Sequence, residues 1–319
     1  MFLNIVFIVA GMAIVLWGAD RLTEGAVAVA EKMKVSQIVI GLTVVAMGTS
    51  MPEFCVSLVS ALKGTPDLAV GNVVGSNIFN TLLIVGIAAL VCPMTILKTT
   101  VRKDIPFAMV AAVLLMMMCF DGKIGRIDAA VLFAFFLIFM YMTVRGAQIE
   151  KSDMQKENEL AQEALEERPK MNSVMSAVWI VVGLACLIGG SNLFVEGATQ
   201  VARALNVSDA VIGLTIVAGG TSLPELATSV VAARKGNSGI AIGNVLGSNV
   251  FNILFILGLT GLISPMEIQG ITMTDLSMMV ISMIMIWLFS FTKYTIERWE
   301  GFVLAGGFIG YLSYLIMNA

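Results

Sequence analysis

Glu53 and Glu225 follow matching leads, Gly48-Thr49-Ser50-Met51-Pro52 and Gly220-Thr221-Ser222-Leu223-Pro224. Both acids lie well inside apolar stretches, where a carboxylate costs at least about 2.5 kcal/mol and usually faces a protein interior or an aqueous path. Two such acids brought together remain ionised only with a cation between them; otherwise one takes up a proton. A divalent cation or several monovalent ones would balance the pair. The plainer alternative is that each is a neutral, hydrogen-bonded packing residue.

The flanking residues favour the cation. Proline lacks the N–H that would bond four residues back, so Pro52 and Pro224 should free the Gly48 and Gly220 carbonyls and distort the helix. Free carbonyls at membrane depth are tolerated only beside protein or a water-filled cavity. Ser50 and Ser222, three residues before each acid, share its helix face. Further on, Ser76 and Asn80 lie one turn apart, as do Ser248 and Asn252. These all-oxygen donors suit calcium, which takes six to eight oxygen ligands. Histidine is absent and the four cysteines (Cys55, Cys92, Cys119, Cys186) have no pair spacing, which disfavours a soft transition-metal site and points to small core residues.

The elements that must position these groups are apolar and long. Of 319 residues, 58% are hydrophobic and 13% charged, against roughly 45–50% and 25% in soluble domains. The blocks are continuously apolar, as in Met283–Phe289, whereas barrel strands alternate. The pattern predicts ten spans near 1–19, 37–62, 68–91, 105–120, 127–145, 173–192, 209–233, 239–263, 276–292 and 302–317. Residues 21–34 read as an interfacial continuation of the first helix. Met1–Gly18 has no basic lead and no small-residue cleavage site, so it reads as a retained helix rather than a signal peptide.

The long polar stretch Glu150–Ser173 reads as a short solvated helix ended by Pro169. Loops after odd-numbered spans hold 15 Lys/Arg, and those after even-numbered spans hold four. Basic loops stay cytoplasmic, so the linker should face inward and both termini outward.

The two halves repeat. Residues 36–86 shifted by 172 positions onto 208–258 give about 30 identities in 51 positions without a gap. The matches include Gly71-Asn72-Val73 with Gly243-Asn244-Val245, and Gly75-Ser76-Asn77 with Gly247-Ser248-Asn249. Gly71, Gly75, Gly243 and Gly247 form small-xxx-small patterns for close helix packing. Five spans per half make the second half enter the membrane upside down, and such repeats place a site near the midplane. The expected architecture is an all-α integral membrane protein with ten transmembrane helices. These form two inverted five-helix repeats, 1–149 and 173–319, joined by a charged cytoplasmic linker at 150–172.

Leu42–Glu53 and its partner Leu214–Glu225 resemble the α-repeats of the cation/calcium antiporter superfamily, and within it the prokaryotic sodium/calcium exchangers. The resemblance implies that Glu53 and Glu225 ligate calcium together with the Thr49 and Thr221 carbonyls. It also implies sodium sites drawing on Ala46, Ser50, Ser76 and Asn80, and on Ala218, Ser222, Ser248 and Asn252. Spans 1 and 6 would slide across the other eight to alternate access. Some members carry aspartate where Asn252 stands, an acid associated with potassium coupling in relatives, so potassium coupling is not expected here.

The implied activity is antiport of calcium against sodium in the prokaryotic inner membrane, with both ions as substrates. Neither a cofactor, nor nucleic acid, nor an obligate protein partner is implied beside the lipid bilayer. The nearest alternative is calcium/proton antiport, since a buried Glu could alternate between proton and calcium. The hydroxyl and amide ligands favour sodium, because a proton needs only the carboxylates. An intramembrane hydrolase lacks a nucleophile–base pair or metal triad. A channel has no need of carboxylates sequestered inside broken helices.

Overall fold

The computed structural model describes residues 2–160, 172–205 and 218–318. The latter part of the expected linker, with Pro169, and the first part of the expected 209–233 span lie outside these ranges.

The molecule is a helical bundle whose surface is apolar as well as most of its core. Large apolar side chains stand on its surface (Ile127 is 81% exposed), while Ser50, Glu53, Asn77, Asn80, Ser222, Glu225, Ser248, Asn249 and Asn252 are buried. An apolar surface suits hydrocarbon surroundings, where polar groups must find their partners within the protein. Among the described residues, seven helices are long and apolar enough to cross a membrane, or eight if one bent pair is counted as a span. A shorter apolar helix spans Met273–Phe289.

The first helix, α1 (Phe2–Met33), is unbroken. The interfacial segment expected at 21–34 is therefore the second half of this helix. It stays helical because it packs along α7 (Ser173–Ala204), which likewise runs past the expected boundary at 192. The two are antiparallel: Gly11 lies against Gly190, Gly18 against Gly183, and Gly25 against Ser176. A Cβ on Gly183 would stand 2.7 Å from the Leu22 nitrogen and 2.8 Å from the Gly18 carbonyl, so only glycine permits this approach. The charges in this stretch neutralise one another. Arg21 bonds Asp20 at 2.6 Å and Glu24 at 2.7 Å, and Lys235 pairs with both acids.

Two central helices carry most of the interior. They are α4 (Pro66–Val91) and α10 (Ser238–Ile263). Each contains a wider π-helical stretch, Phe79–Ile84 and Phe251–Leu257, with Asn80 and Asn252 second in each. Such stretches leave the regular ladder of backbone bonds and are frequent at functional sites. Against α10 lies α2 (Gln37–Thr49), itself π-helical over Gly41–Val45. A Cβ on Gly247 would stand 2.6 Å from the Leu42 carbonyl, and one on Gly243 would stand 2.7 Å from that of Ile38. The small-xxx-small pattern of the second half thus seats α2.

The span expected at 37–62 is broken rather than merely distorted. α2 meets α3 (Met51–Leu62) at a bend of 47°. The break falls at Ser50 (φ −84°, ψ 9°), and the same conformation recurs at Ser222 (φ −90°, ψ 8°). Ser222 separates α8 (Ala218–Thr221) from α9 (Leu223–Arg234). In both cases proline sits in the first turn of the following helix, where its missing N–H costs nothing.

The remaining helices are α5 (Thr100–Asp121), α6 (Arg126–Leu160), α11 (Met273–Phe289) and α12 (Arg298–Asn318). Helix α6 continues into the segment expected to be a separate linker helix. Two short antiparallel ribbons tie loops of one half to the other: β1 (Met94–Thr95) pairs β4 (Thr295–Ile296), and β2 (Lys123–Ile124) pairs β3 (Met266–Glu267). Of the four cysteines expected in the core, Cys119 is buried, Cys92 and Cys186 are partly so, and Cys55 is exposed. An exposed thiol is tolerated on an otherwise apolar surface of this kind.

Candidate cation-binding site

The two broken helices bring their acids to one place in the interior. Glu53 and Glu225 are each 1% exposed and interact electrostatically. Each acid is held by a serine of the other half. Ser50 Oγ donates to Glu225 Oε1 at 2.8 Å, and Ser222 Oγ donates to Glu53 Oε1 at 3.0 Å. Ser248 Oγ lies 3.5 Å from Glu225 Oε1, and Ser76 Oγ lies 3.2 Å from Ser222 Oγ. Ser222 has one hydroxyl proton, so with that proton on Glu53 the Ser76 hydroxyl is the donor in their contact.

The main chain of each acid is anchored as well. Asn72 Nδ2 donates to the Glu53 carbonyl at 3.1 Å and to Ser57 Oγ at 3.0 Å. Asn244 Nδ2 donates to the Glu225 carbonyl at 3.2 Å and to Ser229 Oγ at 3.0 Å. Asn244 also accepts the Thr49 hydroxyl at 3.1 Å, pinning the end of α2 to α10.

Of ten buried side-chain oxygens without a hydrogen-bond partner among the described residues, four belong to the expected ligands: Glu53 Oε2, Glu225 Oε2, Asn80 Oδ1 and Asn252 Oδ1. Leaving a buried acceptor unsatisfied costs about 1–3 kcal/mol, and more for a charged group. All four are atoms that a hard cation would satisfy. Helices α2 and α8 end at Thr49 and Thr221, and terminal carbonyls lack intrahelical partners and carry the negative end of the helix dipole. Among the described residues, no group of three or more His, Cys, Asp or Glu gathers, so any metal here would be held by two carboxylates and neutral oxygens.

The expected ligands are not placed alike. Ser50, Ser76, Ser222 and Ser248 join the two acids in one hydrogen-bonded cluster. The Ala46 carbonyl accepts Ser50 N–H at 3.0 Å; with the single Thr49 hydroxyl proton on Asn244, it keeps its second lone pair. Ala218 is the first residue of α8, at the edge of the described residues. Of the carbonyls that proline should free, that of Gly220 accepts the Ser191 hydroxyl from α7. Ala19 stands at the equivalent place in α1, so this bond has no counterpart from the other half.

Residues 3–145 and 175–317 match the family described as sodium/calcium exchanger protein. The chain belongs to the sodium/calcium exchanger family. Among its relatives is inner membrane protein YrbG of Escherichia coli, 36% identical over 318 residues, covering 99% of this chain and 97% of the relative. Sodium/calcium exchanger MaX1 of Methanosarcina acetivorans is 33% identical over 352 aligned positions, covering 98% of each chain. A solved structure of the sodium–calcium exchanger NCX_Mj, soaked with 2.5 mM Na+ and 0.1 mM Ca2+, matches with a TM-score of 0.84 at 30% identity, over 98% of both chains.

In this exchanger-family chain, the amides behind the site are functional residues that the list of expected ligands does not include. Asn72, Asn77, Asn244 and Asn249 are all among the positions identical in the two halves, which was the available signal. Their side chains bond to backbone or to other side chains of the cluster, so no count of candidate ligands would single them out.

Proposed function

We propose that the chain is a secondary antiporter exchanging calcium for sodium across the inner membrane, by alternating access at a site near the midplane. The site comprises Glu53 and Glu225, the Thr49 and Thr221 carbonyls, and the side-chain oxygens of Ser50, Ser76, Asn80, Ser222, Ser248 and Asn252. The observation that carries this reading is that two charged and two amide oxygens of these ligands are buried without donors. Two carboxylates neutralise one calcium ion; sodium ions would replace it with serine and asparagine oxygens completing their shells. Charge balance then makes occupancy by calcium and by sodium mutually exclusive, which is what exchange requires. Ala46 would offer a sodium ion the second lone pair of its carbonyl.

In the proposed architecture, ten helices form two inverted repeats, 1–149 and 173–319, with the 150–172 linker inside and both termini outside. The long pair α1 and α7 is the mobile unit. Its glycine seam keeps the two helices together, and its contacts with the remaining helices include the breakable Ser191–Gly220 bond and the Asp20/Glu24–Lys235 pairs.

The test is calcium flux in proteoliposomes, with sodium and proton gradients imposed separately. Uptake should follow an outward sodium gradient without any need for potassium. Uptake driven by a proton gradient alone would assign calcium/proton antiport instead.

A further inference from the structure

We infer that Asn77 and Asn249 are positioning residues, which fix the side-chain amides of Asn252 and Asn80 so that oxygen rather than NH2 faces the cation. This rests on the proposed cation site and adds to it two residues that coordinate nothing.

An asparagine amide is nearly symmetric in shape, and a cation site works only if its oxygen points inward. Something must break that symmetry, and the hydrogen bonds do so from fixed points. Asn77 Nδ2 donates to the backbone carbonyl of Asn249 at 3.3 Å. A carbonyl only accepts, so the Asn77 NH2 must face it and Asn77 Oδ1 must face the other way. There it accepts Asn252 Nδ2 at 3.1 Å. Asn252 has then committed its NH2 outward, and its Oδ1 is the buried oxygen without a donor.

The other relay is anchored differently. Thr81 Oγ1 donates its single proton to the Asn77 carbonyl at 2.6 Å, so towards Asn249 it acts as acceptor. Asn249 Nδ2 donates to it at 2.8 Å. Asn249 Oδ1 therefore faces Asn80 and accepts its Nδ2 at 3.2 Å. Asn80 Oδ1 is left, again buried and without a donor. All five side chains are buried, so water does not compete for these bonds. The relays cross the halves, and they differ: Ile253 stands at the repeat position of Thr81, so the hydroxyl anchor serves Asn80 alone.

Removing an anchor should let the ligand amide turn its NH2 towards the site, where the carboxylates would hold it in competition with the cation. If the oxygen-inward form falls to about a tenth of the population, apparent affinity falls about tenfold. Asn77→Leu should thus raise the half-saturation for calcium and sodium uptake in proteoliposomes about tenfold, with turnover within about twofold. Lost packing alone would give the same direction, so the deciding readout is a change of sign. Asn252→Asp has no NH2 to misdirect. Beside Asn77 it sets one acceptor against another and should weaken ion binding; in the Asn77→Leu background it should restore it.

If Asn77→Leu does not fold, the near-isosteric Thr81→Val, crossed with Asn80→Asp, makes the same test through the other relay. The inference is overturned if Asn77→Leu and Thr81→Val leave half-saturation unchanged, or if each aspartate substitution acts alike in both backgrounds. Asn80→Ala and Asn252→Ala separate the two levels. If both are silent, the ligand assignment fails and takes the relays with it. If both weaken binding while Asn77→Leu and Thr81→Val are silent, only the relays fail.

Discussion

Ser50 and Glu225 lie 175 residues apart in the chain, yet the serine hydroxyl donates to the carboxylate at 2.8 Å. Ser222 returns the arrangement to Glu53 at 3.0 Å. Each acid thus takes a serine hydroxyl from the other half, and this pair of bonds forms only where the halves meet.

Ser50→Ala and Ser222→Ala remove one donor each from a buried carboxylate. A hydrogen bond to a charged group contributes about 1.5–3 kcal/mol, so the sodium half-saturation for exchange should rise about tenfold or more. Calcium affinity should fall less, because its main attraction is to the two charges. Sodium-dependent uptake curves for both variants decide this; a larger loss for calcium than for sodium would assign the serines to the calcium shell.

The seam between α1 and α7 makes a separate claim. Gly183→Ala places a methyl group 2.7 Å from the Leu22 nitrogen and 2.8 Å from the Gly18 carbonyl, whereas a Cβ on Gly189, in the same helix, meets nothing within 4 Å. Overpacking of this kind costs about 1–3 kcal/mol, so Gly183→Ala should lower the melting temperature in detergent by several degrees. Gly189→Ala should leave it unchanged or raise it slightly. Equal melting temperatures for the two variants would mean the seam relaxes freely.

The paired acids, their serines and the helix breaks were legible because one polar motif occurs twice inside apolar sequence, and a repeated cost there implies a use. Pro52 and Pro224 announced the breaks but not their place: the kink falls at Ser50 and Ser222, two residues earlier. The continuation of α1 over 21–34 was legible, but the length of α7 was not, and Asp20, Arg21 and Glu24 read as a membrane edge until their pairing with one another and with Lys235 is seen. Nor was the role of Asn77 and Asn249, which depends on which atom of each amide faces which neighbour. The Ser191 hydroxyl on Gly220 was not legible either, because Ala19 stands at its repeat position and the two halves do not share it.

Ser191→Ala should shift the balance between inward- and outward-open states. It deprives the Gly220 carbonyl of the α7 hydroxyl, and that bond must break if α7 slides. The check is the labelling rate of single cysteines placed along α7, with and without sodium. Rates identical to those of the parent protein would show that the bond does not distinguish the states.

Topology rests on the 15-to-4 division of Lys and Arg between the two sets of loops. Cysteines introduced one at a time at 150–170, in a chain lacking the four native cysteines, should react with impermeant reagents only after the membrane is opened. Labelling in intact cells would overturn the orientation.

The most direct test of the account is equilibrium binding of calcium-45 to the purified protein, in competition with sodium. Two carboxylates facing one divalent ion each contribute several kcal/mol, even at an effective dielectric of about 20. The parent protein should bind calcium saturably and release it as sodium rises. Glu53→Gln and Glu225→Gln should each nearly abolish binding, Asn80→Ala and Asn252→Ala should weaken it less, and Glu24→Gln should be mild. Near-normal calcium affinity in both Glu53→Gln and Glu225→Gln, with the protein folded, would contradict the paired-carboxylate site.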